Sequence, residues 1–302
     1  MSSYNNNLGV TPLDKGYQFA VWAPNATAVH LIGDFNQWDE SSMPMSSADG
    51  GVWWCECADA ENGQGYKFLI TTADEQKLSK NDPRARNLTN SAGHSLIFAD
   101  DYTWETTDFT PAPLHEQVIY ELHIGTFGKT EDAVGTFDSA ISRLDDLAEL
   151  GINTVELMPV NEFAGDLSWG YNPAHPFAVE QAYGGPQGLK RFVDAAHARG
   201  IAVIMDVVYN HFGPNDLDLW QFDGWQENDK GGIYFYNDER SDTPWGDTRP
   251  DYGRQEVRTY LTDNAMMWLS EYRVDGLRMD MVPFMRSVSG ADDGSDNIDD
   301  AY

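Results

Sequence analysis

Two apolar runs of this sequence end in residues that can carry out nucleophilic or acid–base chemistry. One run leads to Arg278 and Asp280, and the other leads to Asp206, Asn210 and His211. Side chains two positions apart in a strand share a face, so Arg278 would lie beside Asp280 and keep its carboxylate ionised and oriented. A carboxylate held in this way can act as a nucleophile. For either run alone, the alternative is a buried strand whose terminal Asp caps a turn.

The elements that would position these residues alternate between strand and helix. Apolar runs predict strands at residues 118–124, 154–158, 201–208 and 274–280. Helical periodicity predicts a helix from Thr136 to Gly151 and further helices at residues 186–199 and 254–272. Four such alternations predict a parallel sheet that forms the first half of a (β/α)8 TIM-type barrel. In such barrels the C-terminal ends of the strands carry the site.

The residues before this region predict a separate all-β domain. Short runs of aromatic and β-branched residues recur at 17–23, 28–32, 52–57, 66–71 and 94–98, which is typical of an immunoglobulin-like β-sandwich. A linker with Pro111 and Pro113 sets the boundary, so we predict a sandwich at residues 1–107 and the half-barrel at residues 108–302. Trp38, Trp53 and Trp54 of the sandwich could stack on sugars or fill its core.

A long segment, residues 212–253, separates the third predicted strand from its helix. Ordinary connections of this kind have about 2–6 residues, and a much longer one is usually functional. We therefore predict a lid insertion over the site. Its aromatic residues could line a cleft or form the core of the lid itself; they are Trp220, Trp225, Tyr234, Tyr236 and Trp245.

The overall charge of −30, from 49 acidic and 19 basic residues, excludes several classes of partner. Nucleic acids and anionic membranes would be repelled, whereas a neutral polysaccharide would not. Only Cys55 and Cys57 occur, with a spacing unsuited to an ordinary disulfide, and the first residues lack the pattern of a secretory leader. These features predict a cytoplasmic protein.

Two motifs resemble the first and second signature regions of the α-amylase family of glycoside hydrolases: DVVYNH at residues 206–211 and GLRMD at residues 276–280. Two further phrases, VWAPNA at 21–26 and GDFNQW at 33–38, resemble the starch-binding-type module of branching and debranching enzymes. The resemblance implies an α-1,4-glucan such as glycogen, starch or a maltooligosaccharide as substrate, and a retaining mechanism.

The resemblance also implies roles for individual residues. Asp280 is the expected nucleophile, Arg278 keeps it charged, and His211 donates a hydrogen bond to a sugar hydroxyl. Asp206 holds the arginine and the hydrogen-bond network, and Tyr171, in the phrase GYNP at 170–173, stacks on the sugar ring being cleaved. A Gly-Tyr-Asn-Pro turn also has purely structural uses.

Asn210 aligns with a residue that often ligates a structural calcium in this family. Branching-type members frequently lack that ion, so we predict no cofactor and no metal ligand, with calcium left open.

The sequence is compatible with more than one activity of this family. In this family the acid/base Glu follows the fifth strand and a third carboxylate follows the seventh, so the chain is expected to be the N-terminal part of a longer enzyme and inactive alone. The phrase YELHIGTF at 120–127 resembles both 1,4-α-glucan branching enzymes and trehalohydrolases. The overall layout, including the phrase LWQFDGW at 219–225, resembles branching enzymes and therefore favours branching. The alternatives are a trehalohydrolase or α-amylase-like hydrolase, and a non-catalytic glucan-binding protein.

Overall fold

The computed structural model describes residues 7–131 and 133–290, and its N-terminal part is built from antiparallel strands. These strands are β1 (Gly9–Pro12), β2 (Tyr17–Trp22), β3 (Ala28–Gly33), β4 (Ser46–Ala48), β5 (Val52–Cys57), β6 (Gly65–Thr71), β7 (Lys77–Lys80), β8 (Asn87–Leu88) and β9 (Ser95–Leu96). One sheet has the order β1-β2-β5-β4, and the other has the order β3-β6-β9-β8 with β7 paired to β6. The prediction of a β-rich N-terminal region is confirmed.

Aromatic side chains fill the core of this N-terminal part. Phe19 on β2 and Tyr66 on β6 are fully buried, and their rings meet edge to face at 5.1 Å. Trp53 packs against the same core and its indole Nε1 donates a hydrogen bond to the carbonyl of Ala23 at 3.1 Å. At least one of the three tryptophans therefore serves packing rather than a surface.

The second part of the chain alternates between strands and helices. Its elements are β10 (Ile119–Leu122), α1 (Phe137–Ile141), α2 (Leu144–Leu150), β11 (Thr154–Leu157), β12 (Asn161–Phe163), β13 (Pro173–Val179), α3 (Gly185–His197), β14 (Ala202–Val207), α4 (Gln255–Ser270), β15 (Gly276–Met279) and α5 (Pro283–Arg286). Strands β10, β11, β14 and β15 form one parallel sheet in that order.

Both edges of this parallel sheet expose apolar side chains. Ile119 on edge strand β10 is 45% exposed, and Met279 on edge strand β15 is 42% exposed. On the inner strands Val155 and Val203 are fully buried. The contrast shows that the inner strands have their neighbours, whereas the edge strands present pairing-competent backbone and apolar surface.

The predicted single helix from Thr136 to Gly151 is wrong in one respect, because the structure breaks it into α1 and α2. Thr136 is the N-cap, as its hydroxyl accepts from the amide of Ser139, and Gly151 ends α2 with a positive φ of 88°. Between them, the Ser142 hydroxyl bonds to the Ser139 carbonyl at 2.6 Å. A serine that bonds back to its own helix competes with the backbone ladder and favours a helix end.

The sequence analysis missed an antiparallel pair, β12 and β13, which follows β11. Pro173 and Pro176 lie within β13, and proline normally argues against a strand because it cannot donate to the ladder. Here β13 pairs only with β12, and the pairing has irregular register. The loop between the two strands carries Tyr171.

Segment 212–253 packs into the body of the molecule. Phe222 and Phe235 are fully buried and belong to the same core cluster as β14. The segment also contacts the N-terminal part, since the Asp223 carboxylate accepts from the backbone and side-chain amides of Asn25 at 2.8 and 3.0 Å. It therefore joins the two parts of the chain. No helix in the described residues is long and apolar enough to cross a membrane.

Candidate active site

A single arginine bridges two carboxylates at the C-terminal ends of adjacent parallel strands. Asp206 on β14 is in register with Arg278 on β15. The guanidinium Nη1 of Arg278 donates to Asp206 Oδ2 at 2.7 Å and to Asp280 Oδ1 at 2.8 Å. Asp206 is 1% exposed and Asp280 is 8% exposed. The bridge thus fixes both carboxylates in one orientation.

The pKa values in this group follow from burial opposed by hydrogen bonds. Burial raises the pKa of Asp206, and the bonds from Arg278 and Tyr171 only partly oppose the rise. Burial lowers the pKa of Arg278, but its bonds to Asp206 and Asp280 outweigh this and raise it overall. Arg278 is therefore a permanent cation in the site.

Tyr171 reaches the same carboxylate from the loop between β12 and β13. Its hydroxyl donates to Asp206 Oδ2 at 2.7 Å. Burial raises the pKa of Tyr171, and its bond to Asp206 raises it further. The phenol is consequently neutral and donates at any physiological pH.

Asn210 and His211 form the other side of the site. The side-chain amide of Asn210 donates to the Asp280 carbonyl at 2.9 Å and to its carboxylate Oδ2 at 3.2 Å. The oxygen of Asn210 then faces His211 Nδ1 at 2.5 Å, which places the donated proton on Nδ1. This contact between Asn210 and Asp280 was missed by the sequence analysis, and no sequence spacing indicates it.

Asn210, at which the sequence leaves a calcium ligand open, is held by hydrogen bonds within the protein. Both ends of the Asn210 amide are engaged, one by Asp280 and the other by His211. Within residues 7–131 and 133–290, no group of three or more His, Cys, Asp or Glu side chains is placed to hold a metal ion.

Segment 212–253 contributes an indole above the histidine. The ring of Trp245 stacks on His211 with centroids 4.6 Å apart and planes 17° apart, and it meets Phe284 edge to face at 5.2 Å. Trp245 remains 38% exposed, whereas Tyr234 and Tyr236 are buried. Of the predicted aromatics, Tyr234 and Tyr236 therefore belong to the core of the segment, and Trp245 reaches the site.

A fully buried arginine ties the same segment to the residues after Asp280. The Arg249 guanidinium donates to the carbonyls of Asp242 at 2.7 Å, Val288 at 2.9 Å and Ser287 at 3.2 Å, and to that of Phe284. Three of these carbonyls lie in or just after α5, where a helix end leaves acceptors without internal partners. Arg249 thus fixes the short helix that follows Asp280.

Comparison with known proteins identifies the family of this chain. Residues 7–85 match the family Carbohydrate-binding module 48 (Isoamylase N-terminal domain), and residues 125–230 match the family Alpha amylase, catalytic domain. The chain belongs to the α-amylase family and joins such a module to part of a catalytic domain. The resemblance drawn from the sequence motifs is confirmed at this level.

Two individual relatives match about 90% of the chain. The chain is 37% identical over 284 residues to the 1,4-alpha-glucan branching enzyme GlgB of Oceanobacillus iheyensis, covering 90% of this chain and 44% of that protein. It is 38% identical over 283 residues to the malto-oligosyltrehalose trehalohydrolase of Rhizobium sp. (strain M-11), covering 91% and 44%. The chain spans less than half the length of these relatives.

Solved structures agree on the fold. The crystal structure of a putative alpha amylase from Salmonella typhimurium matches with a TM-score of 0.79 and 30% identity, covering 98% of this chain and 46% of that one. Pullulanase type I from Bacillus subtilis, complexed with maltose, matches with a TM-score of 0.78 and 26% identity, covering 93% and 44%.

Replacing Arg249 by methionine should destabilise the protein by about 3 kcal/mol, because four carbonyls lose the donor that the buried guanidinium provides. Urea unfolding measures this loss, and hydrogen exchange should quicken at residues 281–288. Arg199→Met is the control, since its partner Asp145 is exposed and the expected loss is below about 1 kcal/mol. Equal losses in the two variants would contradict the role of Arg249.

The buried His211 predicts a pH dependence of stability. Burial lowers its pKa from 6.5 to about 4, although the Tyr171 backbone and Asp280 partly oppose this. The unfolded chain therefore takes up a proton before the folded one, and the free energy of unfolding should fall as pH drops from about 6.5 to about 4, by at most about 3 kcal/mol. Urea unfolding across this range, compared with His211→Gln, measures the effect. An NMR titration of His211 near pH 6.5 would contradict it.

Proposed function

We propose that the protein containing this chain is an α-glucan-active, retaining glycoside hydrolase or transglycosylase with Asp280 as its nucleophile. The observation that supports this most is the bridge from Arg278 to Asp206 and Asp280. A retaining enzyme needs an ionised carboxylate beneath the anomeric carbon, where it forms a covalent glycosyl intermediate. A cation within hydrogen-bond distance favours the ionised form and fixes its direction.

The surrounding residues suit the remaining parts of this proposal. Asp206 would hold Arg278 and Tyr171, and the Tyr171 ring would pack on the sugar being cleaved. His211 would contact a sugar hydroxyl, and Asn210 would orient Asp280 through its two hydrogen bonds. We propose that the four parallel strands are half of a (β/α)8 barrel with residues 212–253 as a lid, and that the general acid comes from the other half.

Among the activities of the family, we propose branching of a 1,4-α-glucan such as glycogen, in which a sugar hydroxyl accepts the glycosyl group. The identity to a branching enzyme supports this, while the similar identity to a trehalohydrolase supports hydrolysis as the second candidate. Iodine staining of amylose should change with little new reducing sugar. Release of reducing ends or trehalose would favour a hydrolase, and starch retention with neither change would favour a glucan-binding protein.

The nucleophile is tested by Asp280→Asn in the longer protein. The amide keeps the size of the carboxylate but cannot form a glycosyl ester, so turnover of amylose should be abolished while glucan binding stays within a few-fold. Asp146→Asn, an exposed carboxylate outside the site, is the control and should leave turnover unchanged. Activity of Asp280→Asn above about a tenth of wild type would remove Asp280 from this role.

A further inference from the structure

Two glutamates are buried in the hairpin formed by β12 and β13. Glu162 lies on β12 and is 2% exposed, and Glu180 directly follows β13 and is 4% exposed. The described residues alone bury them to this extent. In that part of the chain, neither carboxylate forms an ion pair with a lysine, arginine or histidine. Glutamate is almost never buried so fully unless it is paired, so another group must compensate for these charges.

Each carboxylate accepts a hydrogen bond from the backbone that follows the other. Glu162 Oε2 accepts from the amide of Gln181 at 3.0 Å, and Glu180 Oε2 accepts from the amide of Phe163 at 3.4 Å. Glu180 Oε1 also accepts from the amide of Ala182 at 3.0 Å. The two side chains therefore link β12 reciprocally to the residues after β13.

These bonds occur where the backbone ladder of the hairpin is irregular. Asn161 pairs with Val179, whereas the next residue, Glu162, pairs with His175. An irregularity of this kind interrupts the ladder and leaves backbone amides that need other acceptors. The two carboxylates supply those acceptors, so the shape of the hairpin at this point depends on side chains.

The hairpin carries the loop that reaches the candidate active site. Phe163 ends β12, Pro173 begins β13, and the loop between them includes Tyr171. The Tyr171 hydroxyl donates to Asp206 Oδ2 at 2.7 Å. Whatever fixes the two strands of the hairpin therefore also fixes the position of this tyrosine.

Burial makes it costly for both glutamates to be ionised together. Burial raises the pKa of Glu162 to about 8, and the charge of Glu180 contributes to the rise. Burial also raises the pKa of Glu180, although its bonds from backbone amides oppose this, and the exposed Asp166 adds to the rise. Two carboxyls that cannot both ionise share one proton and titrate as a pair. The backbone amides stabilise the single negative charge that remains.

The titratable groups around the pair do not replace this proton. His175 is buried, and burial lowers its pKa, so it is neutral at neutral pH. Burial and the nearby Glu180 raise the pKa of Tyr183, so its phenol is neutral as well. His123 lies behind Tyr183, with its Nε2 at 3.0 Å from the tyrosine hydroxyl. The remaining neighbour, Asp166, is acidic.

We propose that Glu162 and Glu180 together hold one proton at neutral pH and in this form position the loop that carries Tyr171. Loss of the proton to solvent would leave two neighbouring negative charges inside the hairpin, and their repulsion would favour opening of the loop. The pair thus acts on the site through Tyr171. The part that Tyr171 plays in sugar binding rests on the proposed function, whereas the proton does not.

The test is hydrogen exchange at residues 163–172 between about pH 6 and about pH 8, with rates corrected for the intrinsic effect of pH. The closed hairpin keeps the proton up to the pKa of about 8 at Glu162, whereas an exposed glutamate loses it at about pH 4.3. The closed form therefore binds one proton more than the open form. Protection should fall as pH rises, by up to about tenfold per pH unit, and at least about tenfold over this range.

Variants of the pair should abolish this pH dependence. In Glu162→Gln a neutral amide replaces the protonated carboxyl, so protection should stay constant, and Glu180→Gln should behave in the same way. Glu149→Gln is the matched control, because Glu149 is exposed on α2, and it should lose protection as the parent does. The amides of β6, in the N-terminal part, are the internal reference and should follow the same course in every variant.

The remaining outcomes each decide against the pair or against the proposed function. Constant protection in the parent, or a loss that both glutamine variants retain, would overturn the pair. Failure of both variants to fold at about pH 6 would do the same, since glutamine should replace a protonated carboxyl. Protection that is lost with EDTA rather than with pH would mean a metal ion in its place. A parent that shows the pH effect but binds no maltoheptaose would leave the pair intact and overturn the function.

Discussion

The structure of the site depends on the cation of Arg278 between two buried carboxylates. Asp206 and Asp280 both bond to Arg278 at the ends of adjacent strands. Removing the cation would leave two neighbouring carboxylates without their partner, and breaking a buried pair in this way costs about 3 kcal/mol or more. Arg278 suits the position because its planar guanidinium stays charged and can donate to both. The same contact orients both carboxylates and joins the ends of β14 and β15.

The neighbouring elements hold Arg278, Asp206 and Asp280 in position. The register of β14 and β15 places Asp206 beside Arg278, and the amide of Asp280 donates to the Val207 carbonyl at 3.0 Å. Asn210 holds Asp280 from the side away from the arginine. Segment 212–253 contacts the site in two ways. Its Trp245 stacks on His211, and its Arg249 donates hydrogen bonds that hold α5. Positions far apart in the chain thus converge on one carboxylate.

Much of this arrangement follows from local sequence pattern. The strand period of two places Arg278 beside Asp280, and apolar runs locate β14 and β15 to within two residues. The stacking of Trp245 on His211 and the contacts of Arg249 with the carbonyls of Phe284, Ser287 and Val288 could not be predicted. They join residues about 34 to 39 positions apart with no periodic signal. The sequence analysis missed the pair β12 and β13 because prolines usually argue against a strand. The prolines of β13 are tolerated because its irregular pairing with β12 needs few backbone hydrogen bonds.

The most direct measurement is a double-mutant cycle on the free energy of unfolding with Arg278→Met and Asp206→Asn. If the bridge holds the site together, Arg278→Met should cost clearly more when Asp206 is present than when it is Asn, with a coupling of about 1 kcal/mol or more. Neighbouring groups in one network show such coupling, whereas independent residues do not. Losses that add to within about 0.3–0.5 kcal/mol would mean that the two side chains act independently, and would contradict the account.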